Sequence, residues 1–204
     1  MKKIALVGLI LFVVLIAGCS QTTTTTSDTG QEATKQETQI YTGNTENLLP
    51  ERDEINTEYE ILTTEDFDIT KYFSKYQTKG LMTTGFESGS YMEHEILEEF
   101  PRNTITVGYI FILKFDSVDN ADLFYTTMID MIKNEGGYKE ISSFWIDADC
   151  FGKEGFYPDY PLNNYYQNFF CKKKNIFFNT ETSGYKKSRL SDSEEWAKTI
   201  ADKI

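Results

Sequence analysis

Residues 104–115 limit most strongly how this chain can fold. The segment, TITVGYIFILKF, is rich in β-branched and aromatic residues, and toward its end it is apolar at both sets of alternating positions. A strand with this pattern is central in a sheet that is covered on both sides. Residues 83–97 carry a second strand pattern, and a turn at 101–103 separates the two. The sequence therefore predicts a central β-hairpin.

A helix is predicted directly after this hairpin, over about residues 118–134. Ser117 has the character of an N-cap, and Asp119 places negative charge in the first turn, where it suits the helix dipole. Apolar residues then recur every three or four positions, which gives the helix one apolar face. Gly136-Gly137 is typical of a helix end.

The C-terminal segment predicts a second helix, over about residues 192–204. Ser191 and Glu194 have the spacing of a capping box, and an apolar stripe follows them. Such a stripe packs against a sheet. We therefore predict an α+β fold, in which a mainly antiparallel sheet packs against the internal helix and the C-terminal helix.

Three further segments have strand character. Residues 138–146 predict a single strand, and residues 168–173 and 175–182 predict a second hairpin. The resulting order of strand, helix, strand, hairpin and helix resembles the PsbP/Mog1-like sandwich. This resemblance is one of topology and covers about 100 residues, so it implies a fold but no functional residue.

The N-terminus has the features of a secretory signal. Lys2 and Lys3 precede an uncharged apolar run, residues 4–18, which is shorter than the roughly 20 residues that span a bilayer. The run ends in Leu15-Ile16-Ala17-Gly18-Cys19, which resembles the lipobox of prokaryotic lipoproteins. The resemblance implies that residues 1–18 are removed and that Cys19 is lipidated. The alternative is an uncleaved anchor, and either one holds the chain on the extracytoplasmic face of the cell membrane.

The residues after Cys19 predict a flexible stalk. Residues 19–57 are poor in apolar side chains and rich in Thr, Gln and Glu, so they bury too little surface to offset the entropy of ordering. Residues 58–204 then have the length of a single folded domain with its own core.

The charge balance argues against nucleic acid as a partner. Once Lys2 and Lys3 are removed, the chain has 18 basic and 32 acidic residues, or a net charge of about −14. Binding to phosphate requires clustered Lys and Arg, and a chain with this excess of acidic residues repels a polyanion. The lipid on Cys19 therefore remains the predicted link to the membrane.

Two cysteines remain after lipidation of Cys19. Outside the cytoplasm, a pair such as Cys150 and Cys171 is predicted to form a disulfide. It closes a loop of about 20 residues, which is worth roughly 3 kcal/mol in the chain-entropy picture.

The segment between these cysteines, residues 151–170, is rich in aromatic residues. Eight of its twenty residues are aromatic, and Pro158 and Pro161 interrupt any regular element, so we predict a long, stiffened loop. Two roles remain open for its rings. They cover one end of the sheet as part of the core, or they form a recognition surface, since Tyr offers a large contact area at low entropy cost.

We expect the domain to be a non-enzymatic binding module that recognises a sugar, a peptide or a protein through this loop. A loop made rigid by the disulfide loses less ordering entropy on binding. The candidate ligand-binding residues are Tyr157, Tyr160, Asn163, Asn164, Tyr165 and Tyr166. The alternative is an accessory lipoprotein that docks permanently on a membrane complex. No cofactor is predicted.

Other chemistry has weaker support in the sequence. His94 is the only histidine and stands among glutamates, so it predicts a solvated polar edge rather than the base of a tethered hydrolase. Asp147 and Asp149 begin a segment that superficially resembles a calcium loop, but the spacing does not fit an EF-hand, and the alternative is an irregular calcium site that would use Asp147, Asp149, Glu154 or Asp159. Turn formation beside the disulfide is the preferred role of these carboxylates, and no metal site is predicted.

Overall fold

The structure is a computed structural model, and it describes residues 39–98, 104–157, 164–184 and 191–204. A short 3-10 helix, Thr45–Leu48, comes first. In chain order, the strands and helices that follow are β1 (Glu60–Asp66), α1 (Ile69–Gln77), β2 (Phe86–Glu98), β3 (Thr104–Phe115), α2 (Val118–Glu135), β4 (Lys139–Ile141), β5 (Asp149–Tyr157), β6 (Asn164–Lys173), β7 (Ile176–Gly184) and α3 (Asp192–Lys203). The lipobox-like segment and Cys19 lie outside the described residues. Within the described residues, no helix has the length and apolar character needed to cross a membrane.

The seven described strands form one sheet in the order β1-β2-β3-β7-β6-β5-β4, and all neighbours are antiparallel. The predicted α+β class is thereby confirmed. β3 is the third strand from one edge, and its Ile110, Ile112 and Leu113 are fully buried. Both predicted hairpins, β2–β3 and β6–β7, are confirmed as well. The central strand is covered on both faces, as its apolar pattern predicts.

Alternating side chains divide the core into two layers. On one face, here called the α3 face, Trp196 and Ile200 of α3 pack in a cluster with Ile110 of β3. On the other, here called the α1–α2 face, Phe73 of α1 and Phe124 of α2 lie edge to face with ring centroids 5.5 Å apart. Because each fully buried side chain of this size contributes about 1.5–3 kcal/mol, these two layers hold the helices on the sheet.

The helix caps predicted from the sequence are present in α2, whereas the cap predicted for α3 is absent. The Ser117 side chain accepts a hydrogen bond from the backbone N–H three residues later, at 3.3 Å, and Gly136 ends α2 with a φ of 65°. The cap predicted for α2 is therefore confirmed. The capping box predicted for α3 is wrong, because Ser191 has a helical backbone and makes no side-chain cap. Glu194 instead pairs with Lys198 one turn later, at 2.8 Å.

The folded region begins earlier in the chain than the predicted boundary at residue 58. Leu48, Leu49 and Ile55 are at most 5% exposed and belong to the core cluster of the α3 face. The C-terminal part of the predicted stalk, 19–57, therefore packs on the sheet. Residues 19–57 are polar in overall composition, so the composition did not reveal that these three apolar side chains are buried.

The strand predicted over 138–146 is also shorter in the structure, where only Lys139–Ile141 pairs with β5. Beyond it, Phe144 and Ile146 pack against the α3-face core, whereas Trp145 between them is 87% exposed. The apolar residues that suggested a longer strand thus anchor a connection that runs over the sheet edge.

Candidate functional site

The aromatic segment 151–170, predicted as a long loop, instead forms most of a β-hairpin. β5 and β6 pair at nine positions, and Cys150 and Cys171 are direct partners joined by the predicted disulfide, with Cα atoms 4.1 Å apart. Pro158 and Pro161 fall between the two strands, outside the described residues, so they interrupt neither strand. The prediction of a loop is therefore wrong, because the prolines mark only the connection of a hairpin.

Most rings of this hairpin belong to the core. Phe151 and Phe170 are buried on the α1–α2 face, and Phe169 is buried on the α3 face. Gly152 makes room for this packing, since a Cβ there would lie 2.8 Å from the Phe169 ring. Between the two roles left open by the sequence, the described rings mainly cover the sheet.

The predicted ligand-binding residues are not gathered on one surface. Tyr160, Asn163 and the side chain of Tyr157 lie outside the described residues. Asn164 is 9% exposed. Tyr165, 38% exposed, and Tyr166, 6% exposed, are neighbours in β6 and so lie on opposite faces of the sheet.

Tyr165 contributes to a surface cavity at the β4 edge, here called the edge cavity. Its ring lies 5.2 Å from that of Phe156, which is 42% exposed. The cavity has a volume of about 330 Å³ and is lined by Gly137, Tyr138, Lys139, Glu154, Gly155, Phe156 and Tyr165. Two neighbouring exposed rings form a small apolar patch beside the hairpin tip.

A polar row crosses the α1–α2 face on five adjacent strands. The strand register joins Glu93 of β2 to Tyr109 of β3, Tyr109 to Glu181 of β7, Glu181 to Asn168 of β6, and Asn168 to Lys153 of β5. Directly paired residues have Cβ atoms about 5 Å apart, so these side chains stand next to one another. The row lies beside the part of the sheet that α1 and α2 cover.

A cavity of about 230 Å³ lies over the middle of this row, here called the central groove. Its polar lining consists of Lys153, Asn168, Asn179, Glu181 and Glu135, and its aromatic lining of Tyr72, Phe73, Tyr76, Phe111 and Phe170, with Met128 and Ile132 completing it. α1 and α2 form its walls above the sheet. A salt bridge of 2.8 Å between Lys79, just after α1, and Glu135, the last residue of α2, joins the ends of these helices.

Lys153 brings a positive charge into an aromatic environment. Its Nζ atom lies 5.3 Å from the ring centroid of Phe170, 5.7 Å from that of Tyr166 and 5.8 Å from that of Tyr138. These distances suit cation–π interactions. Burial lowers the pKa of Lys153, and the negative charge of Glu181 partly opposes that effect. Among the described residues, no acceptor lies within hydrogen-bond distance of this ammonium group.

Glu181 brings a carboxylate into the same cavity. Asn168 Nδ2 donates to Glu181 Oε2 at 2.7 Å, and Asn179 Nδ2 donates to Asn168 Oδ1 and, at 2.9 Å, to the carbonyl oxygen of Phe169. Burial raises the pKa of Glu181, and the positive Lys153 partly opposes that shift. The two amides thus fix the orientation of a carboxyl group that burial destabilises in its charged form.

Tyr72, which lines the groove, lies with its ring 5.3 Å from that of Tyr91, and each of these tyrosines pairs with a glutamate. Tyr91 Oη donates to Glu93 Oε2 at 3.2 Å, and Tyr72 Oη donates to Glu65 Oε1 at 3.4 Å. Burial and the neighbouring carboxylates raise the pKa of both tyrosines. Both phenols are therefore neutral donors at physiological pH.

Stability alone does not explain the polar residues of the central groove. A lysine and a glutamate drawn from water are costly, and apolar residues of similar volume are often at least as stable. Ionisable groups with shifted pKa values beside a cavity are typical of functional sites. The central groove is therefore the candidate functional site, and it can hold a small ligand by charge, amide hydrogen bonds and ring contacts.

Sequence reasoning missed Lys153, Asn168 and Glu181 as site residues. A usable signal is present in the second predicted hairpin, where Asn179 and Glu181 stand at alternate positions of a strand that begins with Ile176, Phe177 and Phe178. Two polar residues at that spacing share one face, so they mark a polar patch on a covered sheet.

His94 lies in the core and not at the predicted solvated edge. Its side chain is fully buried on the α3 face, against the rings of Tyr59 and Trp196. Gly108 on the adjacent strand provides the space, because a Cβ there would overlap the imidazole. The interpretation as a polar edge is wrong, since alternation along β2 turns this residue inward. A side chain sealed in this way cannot reach a substrate.

The carboxylates considered for calcium bind lysines instead. Asp147 pairs with Lys173 at 2.8 Å, and Glu154 pairs with Lys139 at 2.6 Å. Asp149 lies 3.1 Å from Lys172. Asp159 lies outside the described residues. Within the described part of the chain, no group of three or more His, Cys, Asp or Glu side chains is arranged to hold a metal ion.

Comparison with known proteins gives a likeness of fold. No protein-family model matches the sequence, and no curated protein matches it. The chain is similar to the extracellular domain of PknH from Mycobacterium tuberculosis, with 15% identity and a TM-score of 0.50, over 77% of this chain and 92% of that one. It is also similar to LpqN, which is involved in cell envelope biogenesis of Mycobacterium tuberculosis, with 10% identity and a TM-score of 0.37, over 76% and 79% of the two chains. The first likeness shows a shared fold, and the second carries no weight.

Proposed function

We propose that this chain is a lipid-anchored extracytoplasmic lipoprotein whose folded region is a non-enzymatic binding module. The lipobox-like sequence ending at Cys19 supports the anchor. The disulfide between Cys150 and Cys171 suits an oxidising compartment outside the cytoplasm. The similar domain of PknH is extracellular. The ligand, a sugar or a peptide-like molecule, binds in the central groove.

The observation that carries this proposal is the half-buried pair of opposite charges in the central groove. Lys153 and Glu181 line one cavity together with amides and aromatic rings. An empty site of this kind pays the desolvation of both groups, whereas a bound ligand compensates each group with a new partner. A cavity that combines apolar walls with few oriented polar groups is typical of ligand sites.

The chemistry of the lining favours binding over catalysis. Among the described lining residues there is no Ser, Thr, Cys or His, so the groove holds no Ser–His or Cys–His pair. His94, the residue considered for a hydrolase, is buried on the opposite face of the sheet.

A thermal-shift screen tests this function. The full chain, kept soluble in detergent, is heated with monosaccharides, disaccharides, single amino acids and short peptides. A ligand at 100 times its Kd adds about 2.7 kcal/mol, which raises Tm by roughly 5–10 °C for a folded region of this size. We expect a shift with at least one class, and we expect Glu181→Gln to abolish it.

The control is Glu195→Gln, which removes an exposed carboxylate of α3 on the other face of the sheet. This variant retains the shift if the central groove is the site. A ligand whose shift survives Glu181→Gln binds elsewhere and contradicts the assignment of the site.

The exposed rings of the edge cavity favour a second candidate, an accessory lipoprotein docked on a membrane complex. Phe156 and Tyr165 present adjacent apolar surface, and aromatic residues are enriched in protein interfaces. Replacing both with Ser tests it. Loss of a partner that co-purifies with the wild-type chain supports docking, whereas unchanged co-purification excludes these rings as the contact.

A further inference from the structure

Two of the three charged residues that line the central groove, Lys153 and Glu181, lie on opposite sides of the cavity; the third, Glu135, ends α2 and pairs with Lys79. Lys153 is on β5 and Glu181 is on β7, with β6 between them, so their backbones are about 10 Å apart at the usual strand spacing. The two groups interact electrostatically, yet among the described residues no carboxylate oxygen lies within 4 Å of Lys153 Nζ. A gap therefore separates an ammonium group from a carboxylate that faces the same space.

Each group retains capacity for one more partner of opposite charge. Lys153 Nζ lies over three aromatic rings, which contact the cation but accept no conventional hydrogen bond. Glu181 accepts from Asn168 through Oε2, and this bond holds the carboxylate in place while Oε1 can accept from a ligand. The site thus offers donors on the β5 side and an acceptor on the β7 side.

The walls between the two charges are apolar. Phe111 and Phe170 stand on the sheet, and Met128 and Ile132 descend from α2. These side chains suit a hydrocarbon or ring substituent rather than a ligand that is polar throughout.

The volume limits the size of the occupant. The cavity has a volume of about 230 Å³. This is below the roughly 300–1,000 Å³ that is usual for drug-sized ligands. A molecule with on the order of a dozen non-hydrogen atoms therefore fits the groove better than a polymer does.

We infer that the central groove binds a zwitterionic small molecule of the amino-acid type with an apolar side chain. Its carboxylate meets Lys153, its ammonium group meets Glu181 Oε1, and its side chain lies between Phe111 and Phe170. Two hydrogen bonds plus the short span of an α-amino acid bridge two groups that are too far apart to pair directly. This inference rests on the function proposed above, and it specifies the class of ligand.

Three probes with the same ring separate the contributions of the two charges. Phenylalanine carries both charges, phenethylamine only the ammonium group and 3-phenylpropionate only the carboxylate. Calorimetric titration of the full chain in detergent gives a Kd for each. We expect phenylalanine to bind about 10- to 100-fold more tightly than either analogue, the range for losing one charge-assisted hydrogen bond.

Two variants assign each charge to its residue. In Lys153→Met the carboxylate of the ligand loses its partner, so phenylalanine and phenethylamine are expected to bind equally. In Glu181→Gln the ammonium group loses its partner, so phenylalanine and 3-phenylpropionate become equal. Lys133→Met is the matched control, because Lys133 also lies over an aromatic ring, at 5.3 Å from the Phe151 centroid, but does not line the groove.

The outcomes distinguish this inference from the function on which it rests. If a neutral sugar binds in a manner that requires Glu181 while phenylalanine does not bind, the groove remains a binding site and the zwitterion is wrong. If phenylalanine binds but neither variant changes the ranking of the probes, the assigned partners are wrong. If no sugar, peptide or amino acid binds, both proposals fall together.

Discussion

Mild acid is expected to destabilise this protein through His94, and replacing His94 with Phe is expected to remove that part of the effect. The imidazole is fully buried, with ring centroids 4.8 Å from Tyr59 and 4.2 Å from Trp196. Among the described residues, neither ring nitrogen has a hydrogen-bond partner. The site therefore holds a neutral ring and provides nothing that stabilises a charged one.

The sign of the effect follows from the direction of the pKa shift. Burial lowers the pKa of His94 from 6.5 to about 4. The unfolded chain therefore takes up a proton near pH 6.5, while the folded chain remains neutral until about pH 4. Stability is complete above pH 6.5, falls between pH 6.5 and 4, and is lowest below pH 4. By linkage, the free energy of unfolding falls by about 2 kcal/mol between pH 7 and pH 5, and by about 3 kcal/mol between pH 7 and a pH below 4.

Urea unfolding at pH 7 and at pH 5, at constant ionic strength, measures this loss. His94→Phe keeps a ring of similar size and removes the two unsatisfied nitrogens, so we expect it to be at least as stable as the wild type at pH 7. Between pH 7 and 5 it is expected to lose about 2 kcal/mol less than the wild type. Both proteins contain the same carboxylates. Subtracting the loss measured for His94→Phe from the loss measured for the wild type therefore removes the contribution of those carboxylates and leaves that of His94.

Met92→Leu is the control, since Met92 is a buried neighbour on β2 that does not titrate. It changes stability at both pH values by a similar amount and retains the loss at pH 5. If the wild type and His94→Phe lose the same free energy of unfolding within about 0.5 kcal/mol, His94 is not a buried neutral base and the reasoning is refuted.

Three other changes have defined expectations. Glu181→Gln is expected to raise the free energy of unfolding at pH 7 by about 0.5–2 kcal/mol, because burial penalises the carboxylate. If urea unfolding shows that this variant is less stable than the wild type, the carboxylate stabilises the fold and the reasoning is contradicted. Cys150→Ser with Cys171→Ser is expected to cost about 3 kcal/mol, from the 21-residue separation of the pair, and an unchanged denaturation midpoint opposes this. Gly108→Ala is expected to cost about 1–3 kcal/mol because its methyl group overlaps the His94 ring, and an unaltered Tm contradicts the tight packing.

Elements with strong periodic patterns could be predicted from the sequence. β3 is apolar on both faces because both faces are covered, and α2 carries its cap at Ser117 and its end at Gly136. In these segments local preference and tertiary packing agree. The α+β class followed from them.

Helices and strands that bury few apolar side chains have no such periodic pattern in the sequence. α1 buries only Phe73, and β1 is an edge strand whose side chains are largely exposed. Neither segment needs a regular apolar face, so neither was predicted. Edge strands and short helices of this kind obtain their structure from the sheet beside them.

The candidate site was beyond sequence reasoning for a different reason. Lys153, Asn168 and Glu181 become neighbours only through the register of β5, β6 and β7. A shift of one residue in any of these pairings would turn its side chains to the α3 face. The order of the strands and their register are tertiary facts, and single-sequence periodicity does not contain them.

The strand order also has a consequence for how the protein folds. β1 to β3 and β4 to β7 are each joined mainly by neighbours in the chain, and the two halves meet only where β3 pairs with β7 among the described strands. Glu93 and Tyr109 belong to the first half, whereas Glu181 and Lys153 belong to the second. Closing that long-range contact is the slow, entropically costly step expected for such a topology. The row of polar side chains is complete only after β3 has paired with β7. A ligand that binds residues of both halves therefore stabilises this pairing and slows the unfolding of the sheet between β3 and β7.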